Sequence, residues 1–171
     1  MMLQWMKVGM LVVMCVALAG GTTATAASLA ELMARAERGD VQAQYTLGMA
    51  YSKGEGVRQD YRQAVVLFSK AADKGHADAR YELARHTFSG LGTEEDKVKA
   101  KLLFLSAADD GSADAQYHVG TMYARGRSGL KKNFYKAAKW YDKAADQGHA
   151  EAKAQLEKLC AARPPACRDL E

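Results

Sequence analysis

An all-α fold, built as a stack of helix pairs, is what this sequence predicts, and three observations carry the expectation. Glycines at 39, 75, 111 and 148 mark a repeat with periods of 36, 36 and 37 residues. Between them, small and apolar residues return at spacing 0, 4, 5, 8, 11, which is one face of an α-helix. Turn and cap residues also fall at matching places in every copy. A helix pair of this size cannot bury its apolar stripe alone, whereas stacked pairs share one continuous core.

The elements follow in order. Residues 1–26 carry one charged side chain, Lys7, and a twelve-residue apolar run from Val8 to Ala19. That run is short for a spanning helix, which needs about twenty apolar residues, and Ala24-Thr25-Ala26 has the small-residue form of a cleavage site. The segment reads as an export signal cleaved after Ala26; an uncleaved anchor is the alternative. Cys15 lacks the small residues that precede a lipidated cysteine and falls inside the apolar run.

The helical repeat domain is expected over 27–163. Leu29 to Arg38 reads as an unpaired second helix capping the start. Three units follow, 39–74, 75–110 and 111–147. Their first helices carry Ala43, Leu47, Gly48, Tyr51 and Gly54, then Ala79, Leu83, Ala84, Thr87 and Gly90, then Ala115, Val119, Gly120, Tyr123 and Gly126. A further column holds Tyr45, Tyr81 and Tyr117. Their second helices repeat Ala64, Leu67, Phe68, Ala71 and Ala72 as Ala100, Leu103, Phe104, Ala107 and Ala108, then as Ala137, Trp140, Tyr141, Ala144 and Ala145. Asp60, Asp96 and Asn133 can cap the starts of the second helices, and Gly75, Gly111 and Gly148 can end them. The extra residue of the third unit falls in the turn Gly126-Arg127-Ser128-Gly129, where it spares the packing. Residues 150–162 read as the closing cap helix. The tail 164–171 is expected to be closed by a bridge between Cys160 and Cys167, worth about 2.5 kcal/mol in the loop-closure picture.

The pattern Ala-x-Tyr-x-Leu-Gly-x-x-Tyr-x-x-Gly-x-Gly-Val, with Asp-Tyr-x-x-Ala and Lys-Ala-Ala-x-x-Gly-His-Ala-x-Ala, resembles the Sel-one-like repeat family, relatives of tetratricopeptide repeats, over residues 39–155. Copy two departs from it at Ala84 and Thr87, copy three at Val119. The resemblance implies a right-handed superhelical solenoid acting as an adaptor or binding scaffold. Many bacterial members are exported; some regulate envelope processes, assemble surface polymers, or neutralise secreted toxins such as phospholipases. Some cysteine-rich relatives act on β-lactams, but they pair cysteines within each repeat, and no repeat interior here contains one.

Composition narrows the function classes. With 24 Lys and Arg against 20 Asp and Glu, the net charge of +4 is too small for a domain that grips nucleic acid phosphates. There is no Gly-x-Ser-x-Gly, no phosphate loop and no His-Glu-x-x-His. The strongest chemical grouping is Glu82, His86 and His118, placed by helical spacing and repeat position where they could converge as a metal or acid–base site. Solvated polar residues on an inner surface are the competing reading. His76 and His149 follow unit-ending glycines and read as helix-start residues.

The expectation is therefore a protein without catalysis, cofactor or metal. It would bind another protein in the periplasm, or after secretion, with no stable membrane insertion once the signal is removed. Positions 42, 46, 49 and 53 of the first helices differ between copies and trace one stripe. It reads Gln42, Thr46, Met49 and Lys53, then Asp78, Glu82, Arg85 and Ser89, then Asp114, His118, Thr121 and Arg125. This stripe is the candidate partner surface, on the concave side. A second candidate is a basic ridge, Lys132, Lys136, Lys139 and Lys143, with Lys131 and Arg127 nearby. It suits an acidic partner or anionic headgroups, or is simply a solvated face. The rival class is an envelope hydrolase acting on cell wall or a β-lactam-like substrate.

Overall fold

The computed structural model describes residues 23–168, with side-chain surroundings from residue 28 onward. Eight helices follow one another: α1 (Thr23–Glu37), α2 (Val41–Lys53), α3 (Tyr61–Asp73), α4 (Ala77–Ser89), α5 (Lys97–Asp109), α6 (Ala113–Arg125), α7 (Phe134–Asp146) and α8 (Ala150–Ala162). A short 3-10 turn, Pro164–Ala166, ends the described chain, and no strand occurs among the described residues. The expected export signal lies outside them except for Thr23 to Ala26, which form the first turn of α1. That helix thus starts six residues earlier than the periodicity predicts.

Three hairpins, α2/α3, α4/α5 and α6/α7, stack through α3 on α4 and α5 on α6, with α1 and α8 covering the ends. The layers differ in closeness. α4 also meets α6 directly, a contact that no two successive second helices make to the same degree. At that joint the first helices come closer together than the second helices do.

Local chemistry fixes these boundaries. Asp60, Asp96 and Asn133 accept hydrogen bonds from amides of the first turns of α3, α5 and α7. Asp40, His76, Ser112 and His149 do the same for α2, α4, α6 and α8, so both histidines sit at helix starts as caps. Such caps are each worth about 1 kcal/mol. First helices stop on Gly54, Gly90 and Gly126, all in the left-handed region.

Alanines let the layers close. Ala64, Ala71, Ala79, Ala100, Ala107, Ala115, Ala137 and Ala144 are completely buried, and Phe68 fills the space between α2 and α3. The Phe68 ring rests on Gly48 so closely that an added methyl would lie 2.7 Å from it; Tyr141 sits on Gly120 in the same way. Copy two has Ala84 at that position, and its aromatic, Phe104, stacks on His118 at 4.2 Å instead. Gly92 marks another close approach. A methyl there would meet the Tyr61 carbonyl oxygen at 2.2 Å, at the start of α3 in the preceding unit.

The first three joints each carry a polar hook at the same position. Gln44 Nε2 donates to the Ala36 carbonyl at 3.1 Å, Arg80 Nη2 to Ala72 at 2.8 Å and Gln116 Nε2 to Ala108 at 3.1 Å. Those carbonyls lie in the last turns of the preceding helices, where intrahelical donors have run out. Arg80 also pairs with Asp110, and Gln116 accepts from Gln147 at 2.7 Å, which ties each hook to the end of the next second helix. In the first unit Lys74 donates to the Gly39 carbonyl at 2.6 Å instead, and Gln44 Oε1 stays buried without a partner.

Cys160 and Cys167 form a disulfide with Cα atoms 5.6 Å apart, folding the tail back onto α8. Arg163 within that loop lies 4.1 Å over the Phe134 ring. Among the described residues no helix is long and apolar enough to cross a membrane.

Candidate functional site

The variable stripe of the first helices divides into residues that join units and residues that stay open. Position 42 and its equivalents belong to the joints. The His76 cap accepts from the Ala79 amide through Nδ1, which leaves Nε2–H to donate to Gln42 Oε1 at 3.2 Å. At the next joint Ser112 Oγ donates to Asp78 Oδ1 at 2.6 Å. At the third, His149 Nε2 faces Asp114 Oδ1 at 3.2 Å. Tyr45 stacks on His76 and Tyr117 on His149, which accounts for two members of the tyrosine column.

The second position is partly withdrawn from solvent. Thr46 is exposed but donates to its own helix at Gln42. Glu82 is buried and holds Arg85 Nη1 through both carboxylate oxygens at 3.1 Å. His118 is largely covered by Phe104 and by the edge of Tyr81. Burial, then the nearby Arg85 charge, pushes the imidazole below its ordinary range. Burial likewise lifts the Tyr81 phenol to about 12. For Arg85, burial works against the charged form, and Glu82 and Tyr81 more than offset it, so the net shift is upward.

At the third position Met49 packs into the core beside Phe68, Arg85 reaches over Tyr81, and Thr121 shares a hydrogen bond with the Tyr141 hydroxyl at 3.2 Å. Lys53, Ser89 and Arg125 at the fourth are exposed.

The chemical grouping weighed from sequence does not form. His86 is buried; its Nδ1–H donates to the Leu91 carbonyl at 3.0 Å, and Nε2 meets Ser52 Oγ at 3.0 Å across the joint. Glu82, His86 and His118 are thus each committed to separate partners. Among the described residues no three His, Cys, Asp or Glu side chains are placed to hold a metal ion. The physical reason is packing: Phe104 and Tyr81 enclose His118, while the turn at Leu91 captures His86.

A cleft of about 240 Å³ opens where the first and second units meet, lined by Ser52, Tyr61, Glu82, Arg85, His86 and Ser89. Three stripe residues, Glu82, Arg85 and Ser89, share it, and Arg125 lies on the next unit at the equivalent of Ser89. Ser52 and Tyr61 were not legible as lining residues. Tyr61 is the first residue of a second helix, and its ring meets His86 edge-on at 5.6 Å, a pairing set across units. The wall is mixed: one carboxylate, one guanidinium, two hydroxyls, an imidazole and a phenol. It can recognise hydrogen-bonding groups without any residue poised as a nucleophile.

The basic ridge lies on the other layer, where all four lysines are exposed. Lys132 rests over Phe134, Lys136 over Tyr123, Lys139 over Tyr135 and Lys143 over Trp140, at 4.4 to 5.5 Å. These ring contacts order the ammonium groups.

Comparison with known proteins decides the family. A sequence profile of the Sel1 repeat matches residues 41–76, 77–112 and 113–149. The chain belongs to the Sel1 repeat family. The matched Sel1 units start two residues after the boundaries set by glycine spacing, because the profile counts from the helix start. Among solved structures, a Sel1 repeat protein from Oxalobacter formigenes is 35% identical with a TM-score of 0.72, covering 77% of this chain and 38% of its own. The protein c5321, a protective antigen present in uropathogenic Escherichia coli strains and displaying the same fold, is 36% identical with a TM-score of 0.68, covering 77% and 28%. The chain therefore spans less than two fifths of either Sel1 structure. No curated protein matches it.

Proposed function

We propose that this Sel1 repeat chain is a non-catalytic scaffold that binds another protein through the layer of first helices, with residues 1–26 as an export signal and the periplasm as its compartment. The observation that carries the reading is the cleft across the first joint. Its arginine is held on two sides, by Glu82 and by the Tyr81 face, before any partner arrives. A surface already fixed loses little side-chain freedom on binding, so more of each contact counts toward affinity. Arg85 is paired with Glu82 and Lys53 lies 3.8 Å from Glu55, while Arg125 and Asp114 are exposed, so the open part of the layer is mixed in charge, which favours a protein partner offering groups of both signs. The Cys160–Cys167 bridge supports an oxidising compartment. One solved relative is described as a protective antigen, which accords with placement outside the cytoplasm.

The test is capture from periplasmic extract with the wild-type chain and with Arg85→Ala/Arg125→Ala. The expected result is a retained protein whose recovery falls at least tenfold with the double variant. Equal retention by both overturns the reading. So does turnover of a β-lactam or cell-wall substrate that disappears with Glu82→Gln or His118→Ala.

A further inference from the structure

The turns that lead into the second helices carry opposite charge at equivalent places. Asp96 and Asn133 cap α5 and α7, and the two residues before each cap are Glu94 and Glu95 in one unit, Lys131 and Lys132 in the next, all four exposed. The first unit has Arg58 and Gln59 there. The basic side stays basic along the chain: no Asp or Glu occurs from Gly126 to Tyr141, a stretch that also holds Arg127 and Lys136.

The acidic turn is open. Thr93, Glu94, Glu95, Val98 and Lys99 help to line a cleft of about 500 Å³. Glu95 pairs with Lys97 at 2.8 Å, and both are exposed, so the pair is weak and readily exchanged. Apolar groups adjoin both turns. Val98 on α5 and Tyr135, its equivalent on α7, are 67% and 37% exposed, and Leu102 follows Val98 by one helical turn at 59%. Lys132 is ordered over the Phe134 ring at 5.5 Å.

We propose that two copies of this chain associate through the second-helix layer, about a two-fold axis running between α5 and α7. These helices hold equivalent positions in adjacent units, which lie side by side in a stack. An axis parallel to them and lying in the contact plane sets α5 of each copy over α7 of the other, with the same ends together. Glu94 and Glu95 of one copy then meet Lys131 and Lys132 of the second. The contact is made twice, as a self-complementary interface requires. Val98, Leu102 and Tyr135 of both copies lie within it and leave water, while the charges set the register. An anionic membrane or an acidic peptide would suit the lysines but repel Glu94 and Glu95, whereas a second copy answers both turns at once. The clefts at Arg85 belong to the first helices, away from this contact, so the pair offers two sites to a partner.

Analytical ultracentrifugation of the full chain over a concentration series at low salt tests the proposal. The expected species is a dimer. Glu94→Lys/Glu95→Lys and Lys131→Glu/Lys132→Glu should each raise its dissociation constant about a hundredfold, since each turn then meets like charge. An equimolar mixture of these two variants should recover the wild-type affinity, because in the mixed pair every such contact again joins opposite charges. The chain carrying all four changes should recover it for the same reason. Val98→Asn should raise the constant about tenfold. All these positions are exposed, and circular dichroism checks that each variant folds. Residues 1–22 are common to every protein compared, so association through them would leave the variants alike. A wild type that stays monomeric, variants that associate as well as the wild type, or a mixture no tighter than its components overturns the proposal. So does a monomer that sediments with anionic vesicles through Lys131 and Lys132.

Discussion

Replacing Gly92 with alanine is expected to destabilise the joint between the first two units far more than the same change at the equivalent Gly56. Both glycines have left-handed backbone, with φ of 75° and 74°. A side chain in that region costs about 1 to 2 kcal/mol wherever it is placed. At Gly56 nothing lies within 4 Å of the added methyl, so that cost is the whole effect. At Gly92 the methyl would lie 2.2 Å from the Tyr61 oxygen, 2.3 Å from its carbonyl carbon and 2.7 Å from the Arg62 nitrogen. Ordinary contact with such atoms begins at about 3.5 Å, so one backbone segment must retreat by about 1 Å. The segment it pushes is the capped start of α3, where Asp60 accepts from the Arg62 and Gln63 amides at 2.9 and 3.1 Å. Losing that cap costs about 1 kcal/mol more, and the opened packing adds about 1 to 3 kcal/mol. The total for Gly92→Ala is about 3 to 6 kcal/mol, against about 1 to 2 for Gly56→Ala. With about 2 to 4 °C of melting temperature per kcal/mol in a chain of this size, Gly92→Ala should melt at least about 4 °C below Gly56→Ala. Thermal unfolding followed by circular dichroism reads the difference directly. Melting of the two variants within about 2 °C of one another would refute the close approach as the cause.

Other joints make distinct predictions. Ala72→Leu, at a site 3% exposed between α3 and α4, should overpack it and cost about 1 to 3 kcal/mol in urea unfolding; an unchanged midpoint would contradict the stacking. Arg80→Met keeps the stem but removes the ion pair to Asp110 and one of the hydrogen bonds to the Ala72 carbonyl, which still accepts from the Gly75 amide, for an expected loss of about 1 kcal/mol, and Asp110→Asn should restore part of it. His118 is held below its ordinary value near 6.5, so in that window the unfolded chain binds a proton that the folded one refuses. Stability should therefore be full above pH 6.5 and fall as the pH drops through the lowered folded value. His118→Phe, which keeps a ring on Phe104, should flatten that part of the stability profile; an unchanged slope would mean that other groups produce it.

The helix pairs were legible because they rest on local rules. Glycine spacing, Asp or Asn before each second helix and the 0, 4, 5, 8, 11 columns depend on neighbours within a few residues. The stripe was legible only in part, because differences between copies were read as freedom. At position 42 and its equivalents they are compensated instead: Gln42 with His76, Asp78 with Ser112, Asp114 with His149, each some 35 residues apart. Glu82 and His118 look like surface residues by type, yet Glu82 is buried and His118 is covered by Phe104 and the edge of Tyr81. Ala84 occupies the seat that Gly48 offers Phe68, and Phe104 covers His118; no short window of sequence contains that relation. The outward Val98 and Leu102 follow helical spacing, but a period reports only that a face is apolar, not which side meets the core.

The paired residues across the three joints have a consequence for the order of the units. Each junction has its own handshake: amide to imidazole, hydroxyl to carboxylate, imidazole to carboxylate. Exchanging the second and third modules would set Gln42 opposite Ser112, a pair that no native seam contains, while Asp114 opposite His76 and Asp78 opposite His149 would repeat the imidazole-to-carboxylate pair of the last seam. The first seam is thus the one that dictates which module can follow which, and it sets the order of an array whose other junctions would tolerate the exchange.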